Sequence, residues 1–74
     1  MDIAVFIEKF AEAIEIEDSS LITSDTVFRE LDEWDSLTYL SVIAFLDEEF
    51  NVQIENAEFK ELTTIQDLYD RVTR

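Results

Sequence analysis

Ile3, Phe6, Ile7, Phe10 and Ile14 recur at steps of three and four, which predicts a first helix over about 2–15 with Asp2 as its N-cap. Glu8, Glu12 and Glu15 decorate its other side. The pattern breaks between Ile16 and Asp35, where Ser19, Ser20, Thr23, Ser24, Asp25 and Thr26 are turn and cap formers. Leu21, Ile22, Val27, Phe28 and Leu31 are scattered among them and pin a long loop to the core, with one short helical turn within 26–31. A loop of about twenty residues is unusual in a small domain, and long loops often serve function.

A second helix is expected from Asp35 or Ser36 to Phe50, with Asp35 as N-cap. Leu37, Leu40, Ile43, Ala44 and Phe50, with either Leu46 or Asp47, fit an inward stripe. Tyr39, Val42 and Phe45 carry the apolar surface well past one face. Asp47, Glu48 and Glu49 crowd the last turn, against the helix dipole. Asn51 suits the left-handed position after the helix, with Val52 as the following apolar contact. Val52–Ile54 alternates like a strand but is too short to stand alone. A short helix follows over 56–62 through Ala57, Phe59 and Leu62. A last helix starts at Thr63 or Thr64, where Thr63 with Gln66, or Thr64 with Asp67, forms a capping box. Its buried stripe is Ile65, Leu68, Tyr69 and Val72. Three main helices and a minor one make a small antiparallel all-α four-helix bundle, with residues 1–74 as a single domain.

Composition supports folding and narrows the chemistry. Leu, Ile, Val and Phe account for 26 of 74 residues, far above disordered chains. There is no Cys, hence no disulfide, no thiolate nucleophile and no Cys-based zinc site. There is no His, hence no imidazole base or metal ligand, and we expect no metal site. Without Gly there is no phosphate-cradling loop of the nucleotide-binding kind. Nineteen acids against five bases set the charge at -14, which repels nucleic acid and anionic membrane and favours basic partners. No apolar run nears the roughly 18 residues of a membrane span. The start Met1-Asp2-Ile3 lacks a basic leader. A cytoplasmic protein is the expectation.

Carboxylates are the only abundant functional groups, and acid–base catalysis with them needs a pocket that raises one pKa. So small a bundle has little room for one, so a solvated acidic surface is the simpler reading. Trp34-Asp35-Ser36-Leu37, where the long loop meets the second helix, stands apart. Ser36 has no base to activate it, so any chemistry at its hydroxyl is performed by another protein.

These residues resemble the acyl carrier proteins and the related peptidyl carrier domains. The likeness runs from about Ile3 to Val72. It rests on Asp35-Ser36-Leu37 after a long first loop, on Phe28 eight residues earlier, on the run from Leu46 to Ile54, and on Leu62-Thr63-Thr64-Ile65-Gln66-Asp67-Leu68. The resemblance implies a carrier, not an enzyme. A phosphopantetheinyl transferase attaches 4′-phosphopantetheine from coenzyme A to Ser36, flanked by the motif residues Asp35 and Leu37. The arm's thiol then carries acyl or aminoacyl groups as thioesters to loading and processing enzymes with basic docking surfaces. The protein is expected to act as a monomer.

Two departures point away from primary fatty acid synthesis and toward a dedicated pathway, such as polyketide, peptide or surface-polymer biosynthesis. The Gly common before the motif is replaced by Leu31-Asp32-Glu33-Trp34, and acids return in the second helix only at Asp47. Trp34 either anchors the loop or meets partners. Leu40 and Ala44 either pack inward or face partner and cargo, and Phe45 with Val42 forms a docking patch if exposed. Asp47 and Glu48 complete the expected partner surface. The alternative is an unmodified, carrier-like acidic module that docks or inhibits a basic partner.

Overall fold

The computed structural model describes residues 1–73 and is all-helical. Its elements are α1 (Ile3–Ala13), α2 (Ser36–Phe50), α3 (Asn56–Phe59) and α4 (Ile65–Val72). Short 3-10 turns at Ser19–Leu21 and Phe28–Glu30 punctuate the loop between α1 and α2. The second of these is the helical turn expected within 26–31; the first ends on Leu21, which is 72% exposed and does not pin the loop as expected. No strand forms among the described residues, and the one bridge, Val27 to Thr64, ties the long loop to the start of α4.

Each helix end has a local cause. Asp2 occupies the N-cap of α1 but its side chain makes no capping bond. α1 stops at Ala13, two residues short of expectation. Glu15 turns left-handed (φ 63°), and the N–H of Ile16 reaches back to Ala11 O while that of Glu15 reaches Glu12 O. That is a Schellman end built without glycine. α2 ends as expected on left-handed Asn51 (φ 54°). The short third helix ends at Phe59, not Leu62, and Ala57 on it is exposed.

α4 opens on the second of the two possible capping boxes. Thr64 Oγ1 accepts from the Asp67 N–H, and Asp67 Oδ2 accepts from the N–H groups of Thr64 and Thr63. Those two N–H donors, Thr64 first, hold the Asp67 carboxyl below its usual value near 3.8. A carboxyl depressed by folding adds stability above its unfolded pKa, and that contribution is lost as pH falls through the lower folded value. Asp67→Asn should therefore flatten the fall in melting temperature below about pH 4, read in a thermal series from pH 7 to pH 3.

The core is strongly aromatic. Phe6, Phe10, Phe28, Val42, Leu46, Ile65 and Leu68 are fully buried. Phe6 lies 5.6 Å from Phe45, 5.8 Å from Phe50 and 5.5 Å from Tyr69, joining α1 to α2 and α4. Phe28 meets Phe10 at 6.4 Å and Phe59 at 5.4 Å, which brings the loop turn and α3 onto the same core.

This packing corrects the expected face of α2. Val42, Phe45 and Leu46 point inward, whereas Leu37 (72% exposed), Leu40 (59%) and Ala44 point out. The docking patch sought at Val42 and Phe45 does not exist, because Val42 is fully buried and Phe45 is only 8% exposed. Both stripes satisfy helical spacing. α1 and α4 receive the one that carries Phe45, whose ring fits against Phe6 and Phe50.

Candidate functional site at the start of the second helix

Asp35 has extended backbone and caps α2. Its Oδ1 accepts from the Thr38 N–H at 2.8 Å, and Thr38 Oγ1 accepts from the Asp35 N–H at 2.7 Å. The serine beside this reciprocal box is therefore not spent on capping. Ser36 is the first residue of α2, exposed, and its hydroxyl has no hydrogen-bond partner among the described residues. The N–H groups of Ser36 and Leu37 are likewise without protein acceptors. Such free donors at a helix start, with the dipole behind them, favour an anion. Asp32, Glu33 and Asp35, all exposed, precede the serine and oppose it.

The loop before the serine is held from behind. The Trp34 ring packs edge-on to Phe28 at 5.1 Å and lies parallel to Phe59, 8° between planes and 6.3 Å between centres. Tyr39, one turn into α2, meets Phe59 edge-on at 4.9 Å. Four rings thus clamp the junction of loop, α2 and α3, and Trp34 is engaged as an anchor.

Arg29 completes the clamp, and the sequence reading passed over it. Its guanidinium lies 4.8 Å from the centre of Phe28 and 5.3 Å from that of Phe59. It donates to the backbone carbonyls of Phe59, which also accepts from the Leu62 N–H, and of Leu62, which lies past the end of α3. A lone arginine in an acidic loop was the only available signal. Arg29→Met keeps much of the stem and removes the donors. It should cost about 2 kcal/mol, as hydrogen bonds from charged groups do, and lower Tm by roughly 10 °C. Differential scanning calorimetry reads this directly.

The structure brings Asp35, Ser36, Leu37, Leu40 and Ala44 to one accessible side of α2, with Asp47 and Glu48 near its far end. Phe45 is removed from this surface by burial. Among the described residues no group of three or more acids is placed to hold a metal ion. No helix there is long and apolar enough to cross a membrane.

The comparisons point the same way. A family model described as the phosphopantetheine attachment site matches residues 4–72. The fold is similar to the solution NMR structure of a holo acyl carrier protein from Geobacter metallireducens, with a TM-score of 0.78 and 25% sequence identity over 96% of this chain and 80% of that one. No curated protein matches.

Proposed function

The chain belongs to the phosphopantetheine attachment site family, and from that membership we propose that Ser36 is the residue that takes the arm, with residues 1–74 acting as one carrier domain. The observation that carries the assignment is an exposed serine hydroxyl, free of the cap it stands beside, on the first turn of α2. The residues fit the group. Free N–H donors of Ser36 and Leu37 stand where a phosphodiester would attach, and an exposed hydroxyl is open to a transferase. When bound, 4′-phosphopantetheine supplies the thiol that this cysteine-free chain lacks, for carrying groups as thioesters.

The chain's own residues hold and present the site. Asp35 and Thr38 fix the start of α2, Trp34 and Arg29 fix the loop before it, and Leu37 stands exposed beside the serine. Leu40 and Ala44 offer an uncharged ridge to loading and processing enzymes. Asp47 and Glu48 give that ridge an acidic end for basic side chains. Ser36 to Leu46 carries no acid, which supports partners from a dedicated biosynthetic pathway over those of primary fatty acid synthesis. The protein itself performs no turnover and works as a cytoplasmic monomer.

Intact mass measured before and after incubation with coenzyme A, magnesium and a broad-specificity phosphopantetheinyl transferase tests the proposal. A gain of one phosphopantetheine group is expected. A folded protein that gains no mass counts against it.

A further inference from the structure

Arg29 sits in the 3-10 turn Phe28–Glu30, and the next six residues hold four exposed acids, Glu30, Asp32, Glu33 and Asp35. It is the one base between Lys9 and Lys60. Among the described residues it forms an ion pair with none of those acids. Its charge is turned inward instead, against the rings of Phe28 and Phe59 and onto the carbonyls of Phe59 and Leu62, 30 and 33 residues away. A guanidinium presents its donors in a fixed fork, so one side chain can hold two carbonyls at once.

Both ends of this tie are segments that do not hold themselves. α3 is a single turn, and its N-cap Glu55 makes no side-chain capping bond. Helices that short are unstable alone and depend on tertiary anchors. α3 is also held from α4, where Arg71 Nη2 donates to Glu58 Oε1 at 3.3 Å. The loop runs from Arg29 to the serine through consecutive turns. The Leu31 N–H reaches Phe28 O at 3.3 Å, the Trp34 N–H reaches Leu31 O at 3.0 Å, and Asp35 follows as the cap of α2. Trp34 closes the circuit, because its ring stacks on Phe59.

We propose that Arg29 is a positioning residue for transfer to Ser36: it makes the loop before the serine and α3 order and open as one unit. This rests on Ser36 as the attachment point. The reaction forms the bond from Ser36 Oγ to phosphorus and breaks the pyrophosphate bond of coenzyme A. Adenosine 3′,5′-bisphosphate leaves, and the transferase takes the hydroxyl proton. A carrier whose loop is ordered only part of the time binds in proportion to that fraction, and a saturating transferase selects the ordered form. Losing Arg29 therefore weakens apparent binding and leaves the step on the bound carrier unchanged. The Arg71 side chain bonds Glu58 and nothing in the loop, among the described residues, so its loss loosens α3 without loosening the loop.

Steady-state transfer is measured with varied carrier and saturating coenzyme A, at a temperature where circular dichroism shows every variant fully helical. Arg29→Met should raise the KM for the carrier about tenfold and leave kcat within about twofold. Arg29→Lys keeps the charge without the fork and should raise KM about threefold, which keeps the comparison decisive if the methionine variant folds poorly. Arg71→Met should leave KM within about twofold. Amide hydrogen exchange on the same unmodified proteins reads the coupling without a transferase. In Arg29→Met the amides of Leu31, Trp34 and Leu62 should lose protection together, and in Arg71→Met those of Leu31 and Trp34 should keep it. An unchanged KM in both Arg29 variants, an equal rise in Arg71→Met, or protection lost at Leu62 alone overturns the proposal. If the unaltered chain takes no arm, Ser36 as the carrier residue fails, while the exchange comparison still tests the coupling.

Discussion

Ser36→Ala is expected to abolish the mass gain from coenzyme A and transferase while leaving the fold unchanged. The two halves of that expectation have separate causes. The modification is lost because the acceptor oxygen is gone, and no Cys exists to replace it. The fold survives because Asp35, not Ser36, caps α2. A capping serine replaced by alanine costs about 1 kcal/mol, whereas an exposed first-turn serine with no hydrogen bond costs within about 0.5 kcal/mol either way. Asp35→Ala is the informative companion. It strips the Thr38 N–H of its acceptor and should lower stability by about 1 kcal/mol while the acceptor hydroxyl remains. Urea melts paired with intact mass on both variants separate the cap from the acceptor. Modification that persists in Ser36→Ala would place the arm elsewhere.

Phe59→Ala is expected to remove a large share of the fold's stability. Truncating a buried Phe costs about 3–5 kcal/mol. A 74-residue domain has a total stability of only about 4–11 kcal/mol, so the variant loses about a quarter of it or more. The choice of Phe59 over the equally buried Phe6 matters for function. Phe6 joins α1, α2 and α4, whereas Phe59 holds Trp34, Tyr39, Phe28 and Arg29 around the loop that presents Ser36. Phe6→Ala should destabilise the bundle without preferentially loosening that loop. In Phe59→Ala, transfer to Ser36 should slow at a temperature where circular dichroism still shows the helices formed. Equal transfer rates for the two variants at matched helicity would show that the clamp has no role in presentation.

The helices were legible because the chain is locally consistent: Asp35, Thr64 and Asn51 announce their boundaries through side-chain chemistry that acts within a few residues. The end of α1 was not legible, since the left-handed residue there is Glu15 and nothing about a glutamate advertises that conformation. The face of α2 was misread for a different reason. With apolar residues distributed nearly all round, periodicity permits two stripes, and only the shapes of α1 and α4 choose between them. Leu37, placed in the inward stripe, is exposed beside Ser36, and Leu40, for which both faces were open, is exposed as well. The family was legible from the motif around Ser36 and its matched spacing along the chain. The clamp behind the serine was not, because Arg29, Phe28 and Phe59 are brought together only by the folded chain.

Trp34 is the chain's single tryptophan, two residues from the serine and stacked on the ring that holds the loop. Indole emission responds to the polarity and packing around it, so the protein carries a built-in optical probe beside Ser36. Changes around Ser36 or in the clamp can be followed by fluorescence on unlabelled material, in real time, with no second indole to subtract.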